Sequence, residues 1–386
     1  MEYGDELVRR VRALAPTLAE RAPEAEEARR LPDATVADLA ATGLFGALVP
    51  KRFGGAELGF APLVDAFRAA GAGCASTGWL SVIYTLHNWM VALFPERAQE
   101  EVWADRPHAL IPCVLSPTGT AAREGDGYRV TGRWPWGSGV MHADHVMVMA
   151  LVTAGDAIEP RLFLLPRADV TVHDVWHTSG MRGTGSNDIE VAGALVPGHR
   201  SVPLADLSEG RAPGALVNTA ALYRIPLVPV FALTGAAPVL GVAEGVLARF
   251  TERLRTRTLA YSGERQRDLM SGQIRLARAT ADLAAARLLL DDAVRGLAAA
   301  DAGGADIGRR AHARLVAAHV VGTARAVVNE LCAAAGASAQ FTASPFQRAQ
   351  RDVNTISGHV VFDPDAAYAL YGKVELRLSP GAPTLL

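Results

Sequence analysis

The residues best equipped for chemistry lie in Gly132-Arg-Trp-Pro-Trp-Gly-Ser-Gly139, between a strand-like run at 128–133 and a second one at 145–152. Trp134 and Trp136 offer flat apolar faces. Ser138 offers a donor and an acceptor, and the glycines Gly137 and Gly139 leave backbone amides unshielded by any Cβ. A wide, flat, polar-edged ring needs that combination. A strand end carrying two core tryptophans accounts for the same residues, and the stretch alone leaves both readings open.

Other candidates are scattered. His87 sits in Leu80-Ser-Val-Ile-Tyr-Thr-Leu-His-Asn-Trp89, an otherwise apolar helical stretch that follows Trp79. His359 closes Arg351-Asp-Val-Asn-Thr-Ile-Ser-Gly-His359. An imidazole titrates near neutrality, so either residue suits proton work, and either also suits a plain structural role. Cys113 stands in Pro112-Cys-Val-Leu-Ser-Pro117 without the cationic surroundings that activate a thiol. Arg182-Gly-Thr-Gly-Ser186 reads as a tight turn that binds an anion, lines a pocket or simply shapes the fold. His142 and His145 lack a third ligand, so no metal is expected.

These residues need elements to hold them. Leu7, Val11, Leu14 and Leu18 recur at helical spacing, and helices are expected through about residue 105. From 109 to 197, short β-rich runs alternate with turns at Gly119, Gly125-Asp-Gly127, Gly155-Asp156 and Gly183-Thr-Gly185. This reads as a small barrel or sandwich. Beyond a Pro/Gly-containing connector at 198–226, four long helices are expected near 228–260, 264–299, 308–335 and 346–372. In the second, Ile274, Ala277, Ala281, Ala284 and Leu288 are spaced like a bundle seam, a pattern that also suits contact with another subunit. The expected domains are therefore 1–107 helical, 108–205 β and 206–386 helix bundle, an α+β chain.

Composition narrows the function classes. The chain has 386 residues, 50% hydrophobic and 20% charged, with a formal net charge of −2. Only Lys51 and Lys373 are lysines, and no basic stripe invites nucleic acid. Cys74, Cys113 and Cys332 are far apart, so a reduced, cytoplasmic setting is expected. No signal core and no run of about 18 uncharged apolar residues is present, so no membrane span is expected. No GxGxxG follows a strand, so nothing supports a nicotinamide site.

With this order in place, a resemblance emerges. Gly43-Leu-Phe-Gly-Ala-Leu-Val-Pro-Lys-Arg-Phe-Gly-Gly55 resembles the N-terminal signature of acyl-CoA dehydrogenase-fold proteins, and Gly132 to Gly139 is similar to their flavin-facing strand. Gly180-Met-Arg-Gly-Thr-Gly-Ser-Asn-Asp188 and Arg351 to His359 resemble one branch, the reduced-flavin-dependent monooxygenases of two-component systems. That branch includes 4-hydroxyphenylacetate, secosteroid and polyketide hydroxylases. The dehydrogenases abstract a proton with a glutamate shortly after an Arg-Asp pair. Here His359 stands in that segment and no carboxylate follows until Asp363, although Glu244 on the bundle remains an alternative base.

The resemblance implies a fold of N-terminal helices, central β-barrel or sandwich and C-terminal four-helix bundle. It implies reduced FAD or FMN from a separate flavin reductase, O2, and a C4a-hydroperoxide that hydroxylates an aromatic small molecule of phenolic, polyketide or indole type. N-hydroxylation of an amine or amino sugar, and acyl-CoA dehydrogenation, remain alternatives. It further implies that Ser138 holds flavin N5, that His359 sets the protonation of the hydroperoxide, and that Trp136, Gly137, Arg182, Arg265 and Gly336 belong to the cofactor site. His87, Cys113 and Trp79 fall to the substrate. Relatives tend to carry a serine where Cys113 stands, which puts a simple phenol in doubt. A homotetramer is implied, since Ala335-Gly-Ala-Ser338 matches a segment that reaches a neighbouring subunit's cofactor.

Overall fold

The computed structural model describes residues 2–154, 157–259, 262–298 and 306–381; the turn expected at Gly155-Asp156 lies outside them. Helices come first: α1 (Glu2–Ala28), α2 (Asp33–Ala41), α3 (Ala61–Gly73), α4 (Ala75–Val91) and α5 (Glu96–Val102). Leu7, Val11 and Leu18 are buried along α1, as their spacing predicts. Helix α4 has all of its residues buried, the polar Ser76, Thr77, Ser81, Thr85, His87 and Asn88 included. It is therefore the internal axis against which the other layers pack.

The strands are β1 (Cys113–Glu124), β2 (Gly127–Gly137), β3 (His145–Ala154), β4 (Ala157–Pro166), β5 (Thr171–His173), β6 (Asn187–Pro197) and β7 (Ser201–Pro203). They form one mixed sheet in the order β5-β6-β2-β1-β3-β4-β7. The β1–β3 pairing is parallel, and its register shifts between Val114 and Gly119, where β1 bends. Along β2, Tyr128, Val130 and Trp134 are buried while Arg129, Thr131 and Arg133 are exposed, the two-residue alternation of a half-buried strand. The inward residues of the sheet, Trp134, Val148, Phe163 and Ile189 among them, make one cluster. The expected barrel or sandwich thus takes the form of a single sheet curled over its own core. The other face of β3 and β4, with Met147, Met149, Leu162 and Leu164, joins the large helical core.

After the short α6 (Leu204–Ser208) come α7 (Leu227–Thr256), α8 (Met270–Ala298), α9 (Ile307–Ala335), α10 (Pro345–Ile356) and α11 (Pro364–Glu375). Two expectations need correction. The stripe of Ile274, Ala277, Ala281, Ala284 and Leu288 lies on the exposed face of α8. The buried seam is instead Ala279, Leu283, Ala286, Leu290, Ala293 and Leu297, a Leu/Ala heptad displaced by two residues and so on the opposite face of the helix. The fourth long helix is also two helices, broken at 357–363, where His359 caps a short 3₁₀ turn. Helices α7 and α9 are long and apolar enough to cross a membrane, yet 78% and 56% of their most apolar windows are buried within the fold, as in core helices.

Candidate active site

Three pieces of chain converge on one cavity: the end of β2, the turn at 180–186 and the break after α10. The β2 end is fixed from α4. Tyr84 donates its phenol proton to the Gly139 carbonyl at 2.8 Å, and the Gly139 amide donates to Thr184 at 2.8 Å. Gly139 has φ +80°, and a side chain there would run into the Tyr84 ring. Its amide is thus committed to the fold, as is that of Ser138, which bonds the Trp136 carbonyl at 2.9 Å. The 180–186 turn is clamped from α10. The Met181 amide donates to Asp352 at 2.6 Å, and Gly180 lies so close to the Arg351 backbone that no Cβ fits. Burial raises the Asp352 carboxyl to about 6, and the hydrogen bond from the Met181 amide opposes that shift by favouring the carboxylate.

The cavity encloses about 300 Å³ and is lined by Trp79, Trp136, Ser138, Trp176, Met181, Thr184, Ser186, Thr355, Ile356, Gly358, His359 and Val360. None of these is a carboxylate. Trp136 has φ +68°, a costly conformation for a bulky residue, and its indole is 67% exposed. Trp134, two residues earlier, is fully buried in the sheet core, with its indole N–H on the Met149 carbonyl at 2.6 Å. The plain core reading therefore holds for Trp134 and the cavity reading for Trp136.

Ser138 stands at the head of a hydroxyl chain. It accepts from the Trp79 indole N–H at 3.3 Å and pairs with Ser186 at 2.8 Å; Ser186 pairs with Thr184 at 2.7 Å, and Thr184 donates to the Met181 carbonyl at 2.8 Å. His359 accepts the Val361 amide proton on Nδ1 at 3.2 Å. An amide can only donate, so the neutral ring carries its proton on Nε2. The ring is open to the cavity but lies beneath Trp79 and Phe362, with centroids 5.4 and 5.9 Å away. Desolvation within this cleft, joined by the like charge of Arg314, pulls its pKa down to about 4. At neutral pH His359 is a neutral N–H donor at the cavity wall.

The other residues singled out from sequence lie elsewhere. His87 is buried further along α4; its Nδ1–H donates to the Ile111 carbonyl, and its ring lies 5.5 Å from Phe231. Burial lowers it to about 4, so it too is neutral, with its lone pair on Nε2. Cys113 begins β1 and is half-buried, and desolvation pushes its thiol up, away from thiolate chemistry. The Arg182 guanidinium donates to the Glu26 and Thr178 carbonyls, so it ties the turn to α1 and does not line the cavity. Arg265 is exposed in a bridge with Thr258, and Gly336 caps α9 at φ +78°; neither lines the cavity. Gly137 is buried against Ile189 and does not line the cavity. Glu244, the alternative base, is held by Arg68 at 2.9 Å and does not line the cavity. The 182–186 turn does line the cavity, one of the readings the sequence allowed, but through Thr184 and Ser186 and not through Arg182; Trp176 was not singled out.

Comparison with known proteins places this geometry. Residues 3–106 match the family Acyl-CoA dehydrogenase, N-terminal domain, and residues 233–364 match Acyl-CoA dehydrogenase, C-terminal domain. A pigment production hydroxylase from a Rhodococcus species is 38% identical, over 98% of each chain. The flavin-dependent monooxygenase oxygenase subunit HsaA of Mycobacterium tuberculosis is 36% identical, over 95% of this chain and 94% of that one. Its crystal structure matches with a TM-score of 0.93, over 99% of this chain and 100% of that one. The oxygenase component of an FADH2-dependent resorcinol hydroxylase from a Rhizobium species is 32% identical, over 97% of this chain and 95% of that one. At these identities and coverages, the chain belongs to the acyl-CoA dehydrogenase-fold family, in its branch of flavin-dependent monooxygenase oxygenase components.

Proposed function

We propose that the cavity receives the isoalloxazine of reduced FAD or FMN, delivered by a separate flavin reductase. The enzyme then adds one atom of O2 to an electron-rich aromatic small molecule of phenolic, polyketide or indole type. The resorcinol and pigment production hydroxylases among its relatives support that substrate class. One observation carries the mechanism: the wall pairs an uncommitted Ser138 acceptor with the His359 N–H and contains no carboxylate. That set has no agent for α-proton removal from a thioester.

The residues fit a reduced flavin ring. The volume suits a small-molecule site, and the Trp136 indole supplies an exposed flat face held in place by a strained backbone. When bound, reduced flavin would supply the two electrons that activate O2, one atom of which goes to the substrate and the other to water. Ser138 accepts the hydrogen bond of the N5–H and so discourages loss of that proton. His359 donates from Nε2 to the oxygen that is delivered, without becoming charged. Trp79, Trp176 and Met181 keep water away from it. His87, whose Nε2 is an acceptor, and Cys113 lie outside the cavity; we assign them to the substrate, a role that requires the packing around the 2%-exposed His87 to open. Arg265 and the Gly336 turn, outside the cavity in a single chain, reach flavin phosphates only in an assembly of the homotetramer type. The exposed Ile274–Leu288 stripe is an apolar face available to such an assembly.

The test is oxygenation of a panel of phenols and indoles under 18O2, with reduced flavin and a reductase. One labelled oxygen per product is expected. Oxidation of an acyl-CoA by an artificial acceptor, with no labelled product, would contradict the proposal.

A further inference from the structure

We infer that Ser186 and Thr184 fix the Ser138 proton so that the site favours reduced over oxidised flavin. The inference rests on the flavin placement proposed above. It starts from the one group in the chain of hydroxyls that cannot donate, the Met181 carbonyl. Thr184 spends its only hydroxyl proton there, at 2.8 Å. At 2.7 Å from Ser186, Thr184 must then accept, so Ser186 spends its proton on Thr184. At 2.8 Å from Ser138, Ser186 must in turn accept, so Ser138 spends its proton on Ser186. The Trp79 indole, which can only donate, fills one of the two Ser138 lone pairs at 3.3 Å. What remains at the cavity wall is one lone pair.

Reversing any one hydroxyl, or all three together, leaves two oxygens facing each other without a proton between them; in the concerted case the pair is Thr184 and the Met181 carbonyl, which keeps the Trp176 indole N–H at 3.0 Å and the Thr184 amide at 3.1 Å. Exchange with water does not relieve this, because Ser186 and Thr184 are 3% and 2% exposed. The site is therefore a fixed acceptor. In reduced isoalloxazine N5 carries a hydrogen and donates. In the oxidised ring N5 is an imine nitrogen that only accepts, so two lone pairs would meet. An enzyme that borrows its flavin needs that bias, which admits the reduced ring and releases the spent one. Ser186 and Thr184 touch no reacting atom in this scheme; they are positioning residues acting through Ser138.

The test is anaerobic titration of the full chain with reduced and with oxidised flavin, followed by quenching of protein fluorescence. Wild type should bind the reduced form at least about tenfold more tightly, the worth of one hydrogen bond lost to a mismatch. In Ser186→Ala the Ser138 hydroxyl is released to turn toward N5, and the preference should contract by about tenfold, mainly through tighter binding of oxidised flavin. Ser186→Thr, which restores the hydroxyl, should recover the preference. Thr184→Val, nearly isosteric, should contract it as Ser186→Ala does, and it serves where Ser186→Ala fails to fold. A wild-type preference retained in both variants would overturn the inference while leaving the flavin site intact. Failure of wild type to bind either form would overturn the site assignment and the inference together.

Discussion

The two histidines make the most instructive pair in the molecule. Both are pulled down to about 4 by desolvation and are neutral at physiological pH. They nevertheless do opposite things, because each has one backbone partner of opposite sense. Val361 offers His359 an N–H, so the proton moves to Nε2 and the ring faces the cavity as a donor. Ile111 offers His87 a carbonyl, so the proton stays on Nδ1 and Nε2 is an acceptor. Burial fixes the charge state of His87, crowding by Trp79, Phe362 and Arg314 favours the neutral form of the more exposed His359, and a single neighbouring backbone group fixes the direction of each hydrogen bond. A donor suits the delivered oxygen, and an acceptor suits a hydroxyl on the substrate.

The comparison can be broken in graded ways. The largest effect is expected for His359→Ala. Losing a donor aimed at the transferred oxygen should lower product formed per O2 consumed by about 100-fold or more, with hydrogen peroxide taking the balance. Unchanged coupling would show that the Nε2 proton is idle. Next comes pH. The folded His87 lies near 4 against 6.5 unfolded, so its contribution is present above 6.5 and is lost as pH falls through 4. That loss approaches about 3 kcal/mol for a fully buried ring. Urea unfolding at pH 7 and 4.5 should therefore show a steeper acid loss in wild type than in His87→Gln; equal losses would mean His87 is not sealed and neutral. The open His359 should add a shallower slope of the same sign. The smallest effect is expected for Arg182→Ala. It removes hydrogen bonds to two carbonyls in a half-buried place, so a stability loss of about 1 kcal/mol is expected, with flavin affinity unaltered. A large loss of affinity would return Arg182 to the cofactor site.

Much of this was legible in the sequence because it is local or periodic. The order of helices, strands and helices follows from spacing, and Trp136, Ser138 and His359 do line one cavity. What escaped follows from geometry that periodicity does not carry. Strand alternation puts Trp134 and Trp136 on one face; the positive φ at Trp136 turns it out of the sheet core. In α8, alanines lie on several faces, and the Leu283–Leu290–Leu297 repeat marks the buried one. The Ser138–Ser186 contact spans 48 residues of chain, so nothing local announces it. The break before α11 is set by the caps at His359 and Asp363, whose side chains accept amide protons on the far side of a helical pattern that otherwise runs through.

The account stands on the ring's place in the cavity. An anaerobic crystal structure with reduced flavin bound would measure it directly. The predicted result is an isoalloxazine against Trp136, with N5 about 3 Å from the Ser138 hydroxyl and the His359 Nε2 facing the C4a side. A ring bound elsewhere, or a carboxylate carried over that cavity onto an acyl thioester, would contradict it.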